Sequence, residues 1–163
     1  MKPPLTPRLL DQRSIDKAYP LIRGILPAVT LERWTEFAKS YLASRSPRWP
    51  KGLMTIQNEE GYILGLFGFE VRDELRNSRA LFIYSIIVPQ VPGHDLIWKA
   101  VMGAAETLAE INGCTAIQAK LSDDLNIPPG GRDWLGDSLA AAGYVIEGIN
   151  AFKRIGAATP AHS

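Results

Sequence analysis

The longest apolar run of the chain predicts a strand in the middle of a sheet. Residues 81–88 are apolar or aromatic at every position except Ser85. A strand that is apolar on both faces is typical of a sheet that is covered on each side. We therefore expect residues 81–88 to be central and to organise the rest of the fold.

A helix is predicted directly after this strand, over residues 95–112. Asp95 is placed to act as its N-cap, and Gly113 is placed to end it. Because the loop 89–95 contains a glycine and leads into a helix, the backbone N–H groups there form a candidate anion site. The apolar face expected to pack on the sheet consists of Ile97, Ala100, Val101, Ala104, Ala105, Leu108 and Ile111.

Two further helices are expected nearer the N-terminus. The first covers residues 14–25, and Pro20 is expected to kink or divide it. The second follows Thr30, a candidate N-cap. We interpret its aromatic stripe as a core face, although the sequence does not decide whether it also lines a pocket; the stripe consists of Trp34, Phe37, Ala38, Tyr41 and Leu42.

A hairpin is predicted between these helices and the central strand. Its strands are residues 52–57 and 62–71, joined by a polar turn that ends in glycine. Gly65 and Gly68 lie inside the returning strand and predict a bulge or the close approach of another backbone.

The remaining strands are short. One is expected near the start of the chain, over residues 8–12. The others follow the central unit at 115–121, 144–147 and 150–154, with a helix from Asp133 to Gly143 before the last two.

Composition indicates a globular protein of one domain. Apolar residues make up 46% of the 163-residue chain and charged residues 21%, which argues against disorder. We expect one domain over residues 1–155 and a small-residue tail over 156–163 that frays. The net charge of +1 gives no electrostatic reason to expect nucleic acid or an anionic membrane as a partner. A homodimer is left open.

The cysteine and histidine content argues against disulfides and metal sites. The only cysteine is Cys114, so no internal disulfide can form, and two histidines are too few for an expected structural zinc site. The N-terminal residues lack the apolar core of a signal peptide, and no apolar run approaches transmembrane length. These features predict a cytoplasmic protein.

The strand, loop and helix over residues 80–114 resemble those of the GCN5-related N-acetyltransferase family, whose members bind acetyl-CoA there. The family's loop signature is Q/R-x-x-G-x-G/A, and residues 90–95, Gln-Val-Pro-Gly-His-Asp, match its first two fixed positions. Asp95 stands where the family has Gly or Ala, and Leu139 stands where its C-terminal helix carries a tyrosine. The resemblance implies a single-domain α/β fold of the α+β kind, with a mixed, mostly antiparallel sheet flanked by about four helices.

The resemblance also implies where an acyl-CoA would bind. The backbone near Ile87 and Val88 would hold the pantetheine arm and polarise the thioester. Gln90 could add a hydrogen-bond donor, or it could be a solvated loop residue. The N–H groups that would meet the pyrophosphate are those of Gly93, His94, Asp95 and Leu96. The His94 ring could also donate to a phosphate, or it could be an exposed loop histidine.

Acyl transfer to an amine also requires proton transfer. The amine must lose a proton, and the departing thiolate benefits from gaining one. Since Leu139 cannot donate a proton, Tyr84 is the candidate donor, and Glu70 is the candidate base, provided that both face a cleft. The alternative interpretations are a core tyrosine and a carboxylate on the surface near a strand end.

Two functions follow from this interpretation. The preferred one is an enzyme that transfers an acyl group from acetyl-CoA to an amine on a small molecule or peptide. The alternative is a non-catalytic binding or interaction module of the same fold that has lost acetyl-CoA binding. Gln90 and Gly93 favour the enzyme, whereas Asp95 and Leu139 favour the alternative.

Overall fold

The computed structural model describes residues 4–43, 48–76, 78–89, 91–120, 140, 143, 145–147 and 150–155. Within these ranges the elements, in chain order, are β1 (Thr6–Leu9), a 3₁₀ helix (Gln12–Ser14), α1 (Ile15–Ile25), α2 (Leu31–Ala43), β2 (Lys51–Gln57), β3 (Ile63–Glu74), β4 (Ser78–Ile87), α3 (His94–Ile111), β5 (Ala116–Lys120), β6 (Val145–Glu147) and β7 (Asn150–Arg154). No helix among these residues is long and apolar enough to cross a membrane.

The strands form one seven-stranded sheet with the order β1-β2-β3-β4-β5-β7-β6. Every neighbouring pair is antiparallel except β4 and β5, which are parallel. The predicted mixed, mostly antiparallel sheet is therefore confirmed, and the strand predicted over 81–88 lies at its centre.

The central strand separates from its parallel neighbour along its length. β4 pairs with β5 from Ala80, opposite Ala116, to Ile83, opposite Ala119. Among the described residues, Tyr84 and the residues that follow it in β4 have no pairing partner on β5. The second half of β4 therefore presents main-chain groups on that side that the sheet does not use.

A bulge marks the point where this separation begins. Leu66 of β3 lies opposite Ile87, and Gly68 lies opposite Tyr84, so β4 has one more residue than β3 in this interval. Ser85, one of the two β4 residues inside it, has a φ of 52°. A bulge of this kind turns the strand and changes the direction of its side chains.

Three α-helices lie in the described part of the chain, fewer than the four expected. Of the helix predicted from Asp133 to Gly143, only residues 140 and 143 are described, and Leu139 and the predicted tail over 156–163 lie outside the described residues. Pro20 does not divide the first helix, because α1 is continuous from Ile15 to Ile25. Its buried residues lie on both sides of the proline and anchor both halves to the core; they are Ile15, Ala18 and Ile22.

The boundaries of α3 differ from those predicted. Gly93, with a φ of 89°, is the N-cap, and Asp95 lies inside the first turn. The prediction that Asp95 is the cap was wrong because the left-handed glycine ends the loop two residues earlier. Gly113, with a φ of 68°, follows the helix as predicted.

The buried face of α3 also differs from the predicted one, since Met102 and Ala109 are buried while Ala100 and Leu108 are only partly buried. Trp98 is buried, whereas Ile111 is 76% exposed and does not face the sheet. The end of α3 is instead connected to β4 by Arg79, whose Nε donates a hydrogen bond of 2.6 Å to the carbonyl of Asn112. This bond satisfies one of the carbonyl groups that a helix leaves unpaired at its C-terminus.

The helices cover the two faces of the sheet. One core cluster joins α3 to the sheet and contains Phe67, Ile83 and Val101, while a second joins α1 and α2 to the opposite face and contains Ile22 and Trp34. Both clusters use the central strands, which explains why residues 81–88 are apolar on both sides.

Two glycines in β3 allow this close packing. A Cβ atom at Gly65 would lie 2.7 Å from Cγ2 of Ile97, so α3 could not approach the sheet as it does. A Cβ atom at Gly68 would lie 3.3 Å from both the Tyr41 hydroxyl and the Tyr84 ring. The predicted close approach of another backbone is confirmed at Gly68, where the Tyr84 carbonyl oxygen would also lie 3.3 Å from a Cβ atom, and side chains of α3, α2 and β4 approach as well.

Candidate functional site

A cavity of about 880 Å³ lies between the sheet and the helices α1 and α2. Its helical wall is apolar and aromatic, and its floor is formed by β2, β3, β4 and β5. The wall includes Ile22, Leu26, Val29, Trp34 and Phe37, and the floor includes Lys51, Glu70, Arg72, Phe82, Tyr84 and Gln118. Its volume is within the range usual for small-molecule sites.

The register of the sheet brings the floor residues together. Glu70 of β3 lies opposite Lys51 of β2 on one side and Phe82 of β4 on the other, while Gly68 lies opposite Tyr84. Residues directly opposite each other, and residues two apart, share one face of a sheet. Both residues predicted to transfer protons, Glu70 and Tyr84, therefore line the same cavity.

Glu70 is held in place by Arg72. The Nε and Nη2 atoms of Arg72 lie 2.7 and 2.6 Å from the same carboxylate oxygen, Oε1. The guanidinium carbon also lies 4.9 Å from the centre of the Phe82 ring. Among the described residues, Oε2 of Glu70 has no hydrogen-bond partner, so this oxygen can accept one from a bound molecule.

Tyr84 forms a pair with Tyr41 of α2. Their ring centres are 5.8 Å apart, and the Tyr84 hydroxyl donates a hydrogen bond to the Tyr41 oxygen. Burial, followed by this hydrogen bond and by the charge of Glu70, raises the pKa of Tyr84 far above its usual value. Tyr84 therefore keeps its proton at physiological pH and can donate a hydrogen bond, although the raised pKa makes it a weaker acid than an exposed tyrosine.

The sequence did not identify Tyr41 as a functional residue. Its place in an aromatic stripe indicated core packing, and it is indeed 6% exposed. Burial raises its pKa as well, with the hydrogen bond from Tyr84 acting in the opposite direction. Each hydroxyl can both donate and accept, so Tyr41 can position Tyr84.

Lys51 is the second residue that the sequence analysis missed. Its Nζ lies 4.9 Å from the centre of the Tyr41 ring. In the described part of the lining it is one of three cationic side chains, with Arg33 and Arg72, against one carboxylate, Glu70. The sequence showed only a lysine at the start of a strand, because its neighbours depend on strand register and on the packing of α2.

The residues predicted to hold the pantetheine arm lie at the end of β4. Ile87 is half-buried and lines the cavity, whereas Val88 is buried in the core cluster that includes α3. They follow the bulge at Ser85, in the segment that has no described pairing with β5. The cavity and the unpaired main chain of β4 are thus adjacent.

The predicted pyrophosphate site lies at the start of α3. The space beside Gly93 is open, since a Cβ atom there would meet nothing within 4 Å. Two of the predicted N–H donors already bond within the protein: His94 N–H to the Val91 carbonyl and Leu96 N–H to the Gly93 carbonyl, both at 3.0 Å. Asp95 is exposed. Gln90 lies outside the described residues.

The His94 ring is also engaged locally. Its Nδ1 lies 3.1 Å from the carbonyl oxygen of Val91. This contact holds the ring over its own turn.

Cys114 is remote from this chemistry. It is 5% exposed, and burial raises the pKa of its thiol. No group of three or more metal-ligating side chains lies together in the described ranges.

The fold is similar to solved structures of N-acetyltransferases. An aminoglycoside 6'-acetyltransferase of type Ii has a TM-score of 0.65 and 14% identity, covering 91% of this chain and 96% of that one. The aminoglycoside N-acetyltransferase AAC(6')-Iy in complex with CoA has a TM-score of 0.61 and 13% identity, covering 87% and 88%. A GNAT-family acetyltransferase from Staphylococcus aureus has a TM-score of 0.59 and 8% identity, covering 93% and 99%.

Sequence comparison adds nothing to this structural likeness. No protein-family model matches the chain, and no curated protein matches it. At these identities the likeness concerns the fold alone. The chain has the fold of the GCN5-related N-acetyltransferases.

Proposed function

We propose that this protein is an N-acetyltransferase that transfers an acetyl group from acetyl-CoA to an amine bound in the cavity. The observation that carries the proposal is the position of Glu70 and Tyr84, which face one cavity beside the unpaired half of β4. The fold supports it, since the neighbours are N-acetyltransferases and one of them was solved with CoA.

The residues at the end of β4 and the start of α3 fit acetyl-CoA in most respects. The main chain of Ile87 is placed to bond the pantetheine arm, because β5 does not pair with it in the described structure. The open space at Gly93 lets a phosphate approach the backbone, and the positive end of the α3 dipole favours an anion there. Asp95 opposes binding through its charge.

Bound acetyl-CoA supplies the acetyl group as an activated thioester. Glu70 Oε2 accepts the hydrogen bond of the amine and takes its proton, while Arg72 keeps the carboxylate in position. The nitrogen forms a bond to the acyl carbon as the bond from carbon to sulfur breaks. The Tyr84 hydroxyl gives a proton to the departing sulfur.

One observation favours a non-catalytic module instead. Asp95 is exposed in the first turn of α3, where a phosphate would have to bind. An exposed carboxylate can turn towards water, however, and its repulsion is weakened by salt. We therefore expect weakened rather than abolished acetyl-CoA binding.

Calorimetric titration with acetyl-CoA and with CoA tests binding directly. We expect binding with a dissociation constant in the micromolar to millimolar range, as is common for substrates. Transfer is then measured as thiol release in the presence of a panel of small-molecule and peptide amines. Binding without transfer to any amine would refute the proposed transfer activity, and no binding at all would refute the proposed function and support the module that has lost acetyl-CoA binding.

A further inference from the structure

We propose that the acceptor is an amine that also carries a carboxylate on an apolar or aromatic body, such as an amino acid with a large apolar side chain. This inference rests on the proposed function and specifies the acceptor class. It follows from the charged side chains that line the cavity, from the positions of Lys51 and Glu70 on its floor, and from the apolar and aromatic side chains of its wall.

The charges of the cavity favour an acceptor with an anionic group. Among the described residues, Arg33, Lys51 and Arg72 line it together with a single carboxylate, Glu70. That carboxylate is already bound by Arg72 through two nitrogens. The lining therefore has excess positive charge, which an amine without an anionic group would increase.

Lys51 is the cation available to a bound anion. Arg72 is engaged with Glu70, and Arg33 lies 3.9 Å from Glu36 in an ion pair whose side chains are 67% and 75% exposed. Among the described residues, the Lys51 ammonium has no carboxylate partner and rests against the Tyr41 ring. A carboxylate of the acceptor would form an ion pair with the Lys51 ammonium.

Lys51 and Glu70 lie side by side, which suits a molecule that carries opposite charges. They are directly opposite each other in the β2–β3 ladder. Side chains in such pairs start about 4.5–5.5 Å apart at their Cβ atoms. The amine of an amino acid can therefore meet Oε2 of Glu70 while its carboxylate meets Lys51.

The wall of the cavity matches the remainder of such a molecule. Facing these charged groups are Leu26 and Val29 at the end of α1 and beyond it, and Phe37 on α2. Phe82 and Tyr84 add aromatic surface on the floor. A polar sugar or a polyamine would leave this surface uncovered, whereas a large apolar side chain would cover it.

The first test compares three acceptors that differ only in the anionic group: L-phenylalanine, L-phenylalaninamide and phenethylamine. Acetyl transfer to each is measured as thiol release with saturating acetyl-CoA. We expect kcat/KM for phenylalanine to exceed that for either analogue at least about tenfold, as is usual for a hydrogen bond to a charged group. The amine of L-phenylalaninamide is less basic than that of L-phenylalanine, so a larger fraction of it is unprotonated and able to react. This difference favours the amide, and a preference for phenylalanine would therefore be found in spite of it.

The second test assigns the preference to Lys51. Lys51→Gln is expected to reduce the preference for phenylalanine over phenethylamine at least about tenfold, mainly through KM. Lys99→Gln removes the same charge from an exposed position on α3, on the other side of the sheet, and should keep the full preference. Circular dichroism confirms that both variants are folded.

The outcomes separate the two proposals. If phenethylamine is acetylated as well as phenylalanine or better, the acceptor inference is wrong and the proposed function stands. If no amine is acetylated, calorimetry with N-acetyl-L-phenylalanine and N-acetylphenethylamine still decides the inference, because the acid should bind more tightly to wild type and lose this advantage in Lys51→Gln. Equal affinities would overturn it.

Discussion

The two faces of the sheet are covered in different ways. On one face, α3 approaches so closely that a Cβ atom at Gly65 would lie 2.7 Å from Ile97. On the other, α1 and α2 pack against part of the sheet and leave a cavity of about 880 Å³. The same strands thus form a close-packed core on one side and the floor of a binding site on the other.

The two faces of the sheet therefore differ in what their residues contribute, packing on one face and polar groups for a reaction on the other. The α3 face is apolar and close-packed, so its core contributes to stability, as does the core between the sheet and the helices α1 and α2. The cavity face carries Lys51, Glu70 and Arg72, which contribute less to stability because partly exposed charges gain little from pairing. Substitutions on the two faces should therefore separate loss of folding from loss of activity.

The largest effect is expected for Phe67→Ala on the α3 face. Phe67 has no exposed surface, so its truncation should lower the free energy of unfolding by about 3–5 kcal/mol. The matched change Phe37→Ala on the cavity wall should cost no more than about 2 kcal/mol, since that ring is half-buried. Urea unfolding measures both values. Equal losses would show that the two faces contribute alike.

The second effect concerns activity. Glu70→Gln keeps the shape of the side chain and removes its charge, so it should lower kcat about 100-fold while changing the free energy of unfolding by less than about 1 kcal/mol. Asp73→Asn removes a carboxylate from an exposed position of the same strand and is the control. The prediction fails if both variants retain wild-type kcat.

A smaller loss is expected for Tyr84→Phe, which removes only a hydroxyl. We expect kcat to fall at least about tenfold, with a lesser decrease for Tyr41→Phe because that residue acts through Tyr84. The raised pKa keeps Tyr84 protonated above pH 10, so its ionisation should not reduce kcat between pH 7 and about 10. Tyr62→Phe, at a 64% exposed tyrosine, is the control. An unchanged kcat in Tyr84→Phe would leave water as the proton donor.

The strands of both faces could be predicted from the sequence, because burial imposes a pattern on them. The run 81–88 indicated a central strand, and the glycines of β3 indicated close approach. The end of α3 was less predictable: Asp95 satisfies the sequence rule for a cap, but the left-handed Gly93 fixes the start of the helix. Two sequence rules for the start of a helix, an aspartate cap and a left-handed glycine, apply at neighbouring positions there. The backbone conformation of Gly93 determines where the helix begins.

The cavity could be predicted only in part. Glu70 and Tyr84 were found because the family resemblance directed attention to β3 and β4. Lys51 and Tyr41 were missed because their roles depend on which residues lie opposite in the ladder and on how α2 packs, and neither is encoded in local periodicity. A single sequence shows which residues are polar, but it does not show which of them meet.

The smallest effect is expected at Asp95, where the two regions meet. α3 belongs to the packed face, yet its N-terminus lies beyond the end of β4, where the CoA phosphates are proposed to bind. Asp95→Asn should lower the free energy of unfolding by about 0.3–1 kcal/mol, because the carboxylate stabilises the positive end of the helix.

The same change should tighten CoA binding about two- to fivefold by removing repulsion of similar size. Glu110→Gln, which removes an exposed charge near the other end of α3, should not tighten CoA binding. The gain in Asp95→Asn should shrink at high salt, since the residue is exposed. Equal dissociation constants for wild type and Asp95→Asn at low salt would mean that the carboxylate points away from the phosphates, and the start of α3 would then belong to the packed face alone.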